Sequence, residues 1–234
     1  MQTEKSPAAN TGPQVKICGL TRSDQALDCA RLGADAIGLV FYPRSPRNVT
    51  LQQAGDICRR LPPGVAAVGV FVDRPSAEII TLADRCGFST VQLHGQEKPR
   101  QITRLKQAGL KVVKALFTNR SPEIGQAPRY GAAAAILVEC GQGKLPGGNA
   151  LAWNWKLPGG LFQKHPVILA GGLDPENIRK ALLSGRPDAF DVSTGVEISP
   201  GNKDMRKVQA FMAAVTAAAG SDRFTNSRPL KRVF

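Results

Sequence analysis

The chain has 234 residues, 42% of them hydrophobic, and a formal net charge of +13. This size allows one substantial core, and no Ser/Gly linker, charge block or low-complexity tract divides it. The longest apolar run, residues 132–138, is too short to span a bilayer, and residues 1–13 lack the apolar stretch of a secretory signal. We therefore expect a cytoplasmic protein of one domain over residues 14–220, flanked by an N-terminal extension at 1–13 and a flexible basic tail at 221–234.

Neither the charge nor the cysteines define a site by themselves. Lys and Arg are scattered, with no Arg-rich block and no interleaved aromatics, which disfavours a nucleic-acid interface. Five cysteines without a CxxC pair argue against a disulfide framework and a thiol-rich zinc site. The two histidines, His94 and His165, fall at opposite ends of predicted strands, so we expect no metal.

Eight short apolar runs recur along the chain, and most are separated by segments with helical spacing of apolar residues. Eight strand–helix units predict a single (β/α)8 TIM barrel of the α/β class, with its chemistry at the C-terminal ends of the strands. The connection at residues 117–131 has two prolines and only a weak helical pattern. The predicted strands are residues 15–18, 36–41, 66–72, 90–94, 111–116, 134–138, 167–170 and 189–192.

Two glycine-containing segments follow the last two predicted strands. Gly171 and Gly172 come directly after the seventh strand, and Ser193, Thr194 and Gly195 follow the eighth. In many TIM barrels the loops at these positions bind a phosphate group through backbone N–H groups, which glycine allows to approach closely. The pair of loops therefore predicts a phosphate site, whereas one glycine turn alone would indicate only a tight bend.

Two groups at the same predicted mouth have the chemistry of a general base and a general acid. Cys18 ends the first strand, and Lys16, which alternates onto the same side, would stabilise its thiolate. Glu139 follows the sixth strand directly, where its carboxyl group can donate a proton to a bound substrate. An inert buried cysteine and a solvated loop carboxylate are the structural alternatives.

Three further polar residues are expected to bind substrate. His94 ends the fourth strand, where it either contacts substrate or satisfies a hydrogen bond at the strand end. Arg47 lies in the loop after the second strand, and its guanidinium fork suits a substrate carboxylate. Asp191, in the eighth strand, faces the same cavity and is the first alternative acid to Glu139.

Together, several segments resemble the phosphoribosylanthranilate isomerase family, in order and at family spacing, from about residue 14 to residue 215. Any one segment is modest evidence, whereas the ordered set is highly specific. The matching segments are VKICGLT at 15–21, GLVFYP at 38–43 with SPR at 45–47, VGVFV at 68–72, VQLHG at 91–95, AGGL at 170–173 with PEN at 175–177, and DVSTGVE at 191–197 with PG at 200–201 and KD at 203–204.

The resemblance implies an Amadori rearrangement of N-(5'-phosphoribosyl)anthranilate in tryptophan biosynthesis, without a cofactor. It assigns Cys18 as the base at the second sugar carbon and Glu139 as the acid at the ring oxygen. Arg47 matches the arginine near the anthranilate group, and the two glycine-containing loops match the phosphate site. The expected partner is a small phosphorylated substrate rather than a membrane, and the chain is expected to be a monomer or a homodimer.

The sequence also departs from the family pattern. The family usually has aspartate where this chain has Glu139, and the added carbon extends the reach by about 1.5 Å. The loop at residues 147–155 differs from the usual Gly-Gly-Thr-Gly pattern as well. Because both changes fall in one loop, we expect a co-adjusted variant in which Glu139 still acts as the acid.

Two other functions fit parts of the sequence. An enzyme similar to indole-glycerol-phosphate synthase would need a lysine acid in the mouth, which Lys16 or Lys114 could supply. A non-catalytic barrel that binds phosphosugars, or RNA through the basic tail, is the alternative from a different class. The Cys18 and His94 segments favour the isomerase.

Overall fold

A computed structural model of the chain describes residues 12–142, 152–157, 160–220 and 229–234. Its main feature is a closed barrel of eight parallel strands in chain order, in which the first strand pairs with the eighth. This arrangement confirms the predicted TIM barrel. The barrel strands are β1 (Gln14–Cys18), β2 (Ala36–Val40), β3 (Ala66–Phe71), β4 (Thr90–Leu93), β5 (Lys111–Phe117), β6 (Ala135–Glu139), β7 (Val167–Ala170) and β8 (Ala189–Val192).

Helices connect most of the strands and surround the barrel. The connection after β5 contains a 3-10 helix, Ile124–Tyr130, in which Pro128 cannot donate a backbone hydrogen bond. None of the helices in the described part of the chain has the length and apolar character of a membrane span. The α-helices are α1 (Ser23–Arg31), α2 (Leu51–Arg60), α3 (Ser76–Cys86), α4 (Pro99–Gln107), α5 (Leu161–Lys164), α6 (Ile178–Gly185) and α7 (Met205–Ala219).

Strand alternation separates the barrel interior from the layer between strands and helices. Val15 and Ile17 of β1 belong to the outer core that the helices cover, so Lys16 and Cys18 face inward. On β5 the inward residues include Val113, in a second apolar cluster inside the barrel. The polar inward residues therefore collect near the C-terminal ends of the strands, where the sequence predicted the site.

Local signals explain where individual helices begin. The Thr50 hydroxyl accepts a hydrogen bond from Gln53 N, and Thr50 N donates to Gln53 Oε1, so the two residues form a capping box at the start of α2. Ala54 and Ile57 then pack on the buried face. This helix fixes the end of the preceding loop, which carries Arg47 to the barrel mouth.

A short antiparallel hairpin follows β8 before the last helix. A 3-10 turn, Thr194–Val196, leads into β9 (Glu197–Ser199), which pairs with β10 (Asn202–Lys203). The register places Lys203 opposite Glu197. The hairpin therefore brings two buried charged side chains beside the loop that follows β8.

The last six residues differ from the flexible tail that the sequence predicted. Residues 221–228 lie outside the described residues, but Val233 is 2% exposed and joins the apolar cluster inside the barrel. Gln14 Oε1 accepts hydrogen bonds from Val233 N and Phe234 N, and Lys111 Nζ donates to Val233 O. These contacts lie at the N-terminal ends of β1 and β5, so residues 229–234 cover the floor of the barrel.

Deleting residues 230–234 should destabilise the fold because it uncovers this floor and leaves Gln14 without two donors. The lost burial and hydrogen bonds predict a fall of about 2–3 kcal/mol in the free energy of unfolding. Urea unfolding measures it, with Arg232→Ala as the control, because the Arg232 side chain is 64% exposed and makes only a long contact with Asp35. A deletion variant as stable as the parent chain would contradict the packing described.

Candidate active site

A cavity of about 200 Å³ opens at the C-terminal ends of the barrel strands. We call it the mouth cavity, and its lining includes the ten residues predicted to form the isomerase site but neither Lys16 nor Lys114. Apolar side chains from β2 and β3 and the Tyr42 ring complete its wall. The selected residues in the lining are Cys18, Arg47, His94, Glu139, Gly171, Gly172, Asp191, Ser193, Thr194 and Gly195.

Cys18 shares its end of the cavity with a buried ion pair. Lys16 Nζ lies 2.8 Å from Asp191 Oδ1 across the seam where β1 meets β8. Gly38, opposite Cys18 on β2, makes room for both β1 side chains, because a Cβ there would lie 2.7 Å from Cys18 Sγ and 2.9 Å from Lys16 Nζ. Cys18 therefore has an ammonium neighbour, as strand alternation predicted.

Opposing effects set the protonation of Cys18. Burial raises the pKa of the thiol, the Lys16 charge lowers it, and the Asp191 charge raises it again. The balance leaves the pKa of Cys18 above its ordinary value. For Lys16, burial lowers the pKa, but Asp191 and Cys18 outweigh that effect and hold the ammonium charged. The thiol is thus a weak acid beside a permanent cation.

Glu139 is held by a hydrogen-bonded chain that begins on β4. Gln92 Nε2 lies 3.0 Å from His94 Nδ1, and His94 Nε2 lies 3.1 Å from Glu139 Oε2. The imidazole also packs edge-on against Phe117, with 5.5 Å between ring centroids. His94 therefore has a positioning contact with Glu139, which the sequence did not predict, in addition to its place in the cavity lining.

The backbone at Gly171 leaves space for the glutamate side chain. Gly171 has φ +87°, and a Cβ there would lie 2.9 Å from Glu139 Cγ and 3.2 Å from Trp153 Nε1. The Trp153 indole N–H donates to Ala170 O, and that of Trp155 donates to Gly171 O. This part of the divergent loop thus packs beside Glu139, while residues 143–151 lie outside the described residues.

The two predicted phosphate loops lie against each other. Gly172 has φ +66°, and its carbonyl accepts a hydrogen bond from Asn177 Nδ2 at the start of α6. A Cβ on Gly195 would lie 1.9 Å from Leu173 O, so only glycine allows this approach. Ser193 Oγ donates to Cys18 O, which ties the second loop to β1. The two glycine-containing loops therefore lie side by side in the lining of the cavity.

The Arg47 guanidinium lines the cavity but its fork is already engaged. Nε lies 2.9 Å from Glu197 Oε1 and Nη2 lies 2.5 Å from Glu197 Oε2, while Nη2 also lies 3.3 Å from Thr194 Oγ1. The fork that the sequence analysis expected to meet a substrate carboxylate is therefore bound by Glu197. Among the described residues, Nη1 has no hydrogen-bond partner and remains the donor for a ligand.

Glu197 binds Arg47 and Lys203 binds Glu197, although neither lines the mouth cavity and the sequence predicted no role for either. Lys203 Nζ lies 2.7 Å from Glu197 Oε1, and both side chains are buried. Both residues lie in segments that resemble the family, Glu197 in DVSTGVE and Lys203 in KD, and this was the signal that the sequence offered. Their position beside Arg47 follows from the hairpin pairing, which the sequence did not predict. Lys114, in contrast, faces outward from β5 and binds Glu97 at 2.8 Å, so it does not line the mouth cavity.

Comparisons with known proteins agree with this geometry. The family model described as N-(5'-phosphoribosyl)anthranilate (PRA) isomerase matches residues 15–214. An N-(5'-phosphoribosyl)anthranilate isomerase of Desulfatibacillum aliphaticivorans is 52% identical over 203 residues, covering 87% of this chain and 93% of the relative. The crystal structure of the Thermotoga maritima phosphoribosyl anthranilate isomerase is 34% identical with a TM-score of 0.81, covering 88% of this chain and 99% of that one.

Another structure of such an isomerase, in complex with reduced 1-(o-carboxyphenylamino)-1-deoxyribulose 5-phosphate, is 34% identical with a TM-score of 0.78. The aligned region covers 88% of this chain and 99% of that chain. The similarity therefore spans the whole barrel and includes a protein whose ligand carries both a phosphate and a ring carboxylate.

Lys16→Met should slow alkylation of Cys18 at a given pH. Removing the ammonium removes a charge that lowers the thiol pKa, so the rate–pH curve shifts to higher pH. Iodoacetamide labelling of the native protein, with mass spectrometry of the Cys18 peptide, measures the shift.

The double variant with Lys16→Met and Asp191→Asn is the matched control. It also removes the carboxylate that raises the Cys18 pKa, so its curve should lie between those of the parent chain and Lys16→Met. Superimposable curves for the parent chain and Lys16→Met would exclude an electrostatic role for Lys16.

Proposed function

The chain belongs to the N-(5'-phosphoribosyl)anthranilate isomerase family, and from that premise we propose that its mouth cavity carries out the isomerisation with Cys18 as base and Glu139 as acid. The reaction converts N-(5'-phosphoribosyl)anthranilate to 1-(2-carboxyphenylamino)-1-deoxyribulose 5-phosphate in tryptophan biosynthesis. The observation that carries these roles is that a thiol and a carboxyl group from β1 and β6 line one cavity beside two glycine loops.

The first step opens the sugar ring. Glu139, as the protonated acid, donates to the ring oxygen while the C1–O bond breaks, and the lone pair of the anthranilate nitrogen forms a C1=N double bond. The result is an iminium cation and a free hydroxyl group. His94 orients the carboxyl group through its 3.1 Å contact with Oε2, and so directs the proton toward the cavity.

The second step removes the proton from C2. The iminium draws electrons from the C2–H bond, which makes this proton acidic, and Cys18 takes it as the thiolate. The electron pair forms a C1=C2 double bond and the nitrogen becomes neutral. Loss of the C2 hydroxyl proton and protonation of C1 then give the amino-ketose.

The ion pair of Lys16 and Asp191 has a defined place in this step. Burial alone raises the pKa of Cys18, so the thiolate needs a compensating charge. Lys16 supplies one in the free enzyme, and the iminium supplies a second when the ring opens. Both positive charges therefore favour the thiolate form of Cys18 over the thiol at the point where the C2 proton is removed.

The two ends of the substrate have complementary groups in the cavity. The loops at Gly171–Gly172 and at 193–195 receive the phosphate through backbone amides. The ring carboxylate lies toward the Nη1 group of Arg47. Asp191 contacts a sugar hydroxyl, and the barrel of residues 14–220 forms the catalytic unit.

The lysine-dependent alternative has less support. An acid similar to that of indole-glycerol-phosphate synthase requires a lysine in the cavity, but Lys114 faces away and is bound by Glu97. Lys16 is bound by Asp191 and lies below Cys18 on β1. Neither lysine offers a free ammonium group to a substrate.

Glu139→Gln should reduce kcat by at least about 100-fold, because the amide keeps the shape of the side chain but has no proton to donate to the ring oxygen. Affinity for a substrate analogue should stay within a few-fold. Turnover of freshly generated phosphoribosylanthranilate, followed by the loss of anthranilate fluorescence, gives the rate. Cys18→Ala serves as the partner variant and should also be inactive. Wild-type turnover by the Gln variant would transfer the acid role elsewhere, first to Asp191.

Glu139→Asp tests whether this chain is adapted to its longer acid. Shortening the side chain retracts the carboxyl group by about 1.5 Å and breaks its contact with His94 Nε2. A misplacement of this size is expected to lower kcat by about 100-fold, with KM nearly unchanged. The same fluorescence assay measures both constants. Activity equal to that of the parent chain would show that the cavity accepts either acid.

A further inference from the structure

Arg47 is the guanidinium that lines the mouth cavity, and its direction depends on a partner outside the proposed catalytic set. Two of its nitrogens, Nε and Nη2, are bound by the Glu197 carboxylate in the side-on geometry of a bidentate pair. Thr194 Oγ1 adds a contact at 3.3 Å. With that edge fixed, the plane of the guanidinium is set and Nη1 is the donor that remains for a ligand.

Glu197 is itself firmly held. Its Oε1 accepts hydrogen bonds from Lys203 Nζ at 2.7 Å and from Gly201 N at 3.2 Å, besides that from Arg47. Burial would raise the pKa of this carboxyl, but hydrogen bonding from Arg47 and the charge of Lys203 outweigh it, so the pKa lies below its ordinary value. Glu197 thus stays ionised, and its position follows the β9–β10 hairpin.

The cluster of Arg47, Lys203 and Glu197 has two cations and one anion, all buried. Burial lowers the pKa of Lys203 against the charge of Glu197. While the Lys203 ammonium is charged, the cluster keeps one positive charge that no described carboxylate of the cluster neutralises, because Asp191 nearby is bound by Lys16. Leaving a charge unpaired in a buried site is costly, so the cluster favours an anionic group on the ligand.

We infer that Glu197 is a positioning residue that turns Arg47 toward the cavity and thereby gives the site its preference for a substrate with a ring carboxylate. This inference rests on the proposed role of Arg47. Glu197 itself does not touch the substrate, because its two oxygens are covered by Arg47, Lys203 and Gly201. Glu197 acts on the carboxylate end of the ligand through Arg47. Lys203 also links it to Ser193 of the phosphate loop, so a ligand without the carboxylate is needed to report on that loop separately.

Two non-reactive ligands separate this role from a general structural one. The first is reduced 1-(o-carboxyphenylamino)-1-deoxyribulose 5-phosphate, and the second is its decarboxylated counterpart with a phenylamino group. Glu197→Gln removes the charge at constant length, and Glu197→Asp keeps the charge but retracts it. Calorimetric titration of each variant gives the dissociation constants for both ligands.

Both Glu197 variants should bind the carboxylated ligand about 10- to 100-fold more weakly than the parent chain, the effect of losing one charge-assisted hydrogen bond. Binding of the decarboxylated ligand should change less than threefold, which also shows that the barrel and the phosphate end are intact. An equal loss for both ligands, or tighter binding of the carboxylated ligand by Glu197→Gln through its added positive charge, would overturn the inference.

The Arg47→Met variant separates the proposed role of Arg47 in binding the carboxylate from the role of Glu197 in positioning Arg47. If Arg47→Met shows the selective loss and the Glu197 variants do not, only the positioning role of Glu197 fails. If Arg47→Met binds both ligands as the parent chain does, the proposed role of Arg47 fails as well. Selective loss in all three variants supports both.

Discussion

The site depends on the seam where the barrel closes. Pairing of β1 with β8 places Lys16 opposite Asp191, and the two buried charges meet at 2.8 Å. A shift of one residue in this register would turn Cys18 away from the cavity and leave both charges without a partner. The Ser193 hydroxyl donates to Cys18 O across the same seam. The pairing that closes the barrel therefore also brings the proposed base, Cys18, together with the loop at 193–195, one of the two that we propose bind the phosphate.

The proposed mechanism places a cation that exists only during the reaction beside the charges of this seam. The free site already contains Lys16, Arg47 and Lys203, yet burial still holds the pKa of Cys18 above its ordinary value. A stronger permanent cation would give a better thiolate but would also disfavour the iminium that ring opening produces. In the proposed mechanism the substrate resolves this conflict, since its phosphate and carboxylate would offset the enzyme's cations at the two ends. The iminium would then form between them, next to the thiol.

Much of this could be predicted from sequence because it follows from strand periodicity. Parallel strands align their carboxyl ends at one mouth, so residues at or just after the ends of predicted strands, such as Cys18 and Glu139, were expected to lie around one cavity. The roles of Glu197 and Lys203 could not be predicted in this way, because they depend on hairpin pairing and on the path of one long arginine side chain. Val233 was missed for a related reason: a basic segment without apolar periodicity gives no signal that one of its residues packs inside the barrel.

Glu139 illustrates how a departure from a family pattern is absorbed by neighbouring residues. The added methylene group needs space, and Gly171 provides it, since a Cβ there would lie 2.9 Å from Glu139 Cγ. The longer carboxyl group also needs a fixed direction, and the 3.1 Å contact with His94 provides that. Trp153 packs beside the same glycine and is fixed by its hydrogen bond to Ala170 O, which restricts the side chain from the loop side. Three constraints from β4, β7 and the divergent loop thus converge on one carboxyl group. Under the proposed mechanism, these constraints are what would let a flexible glutamate meet the positional demand that a shorter aspartate meets by its length.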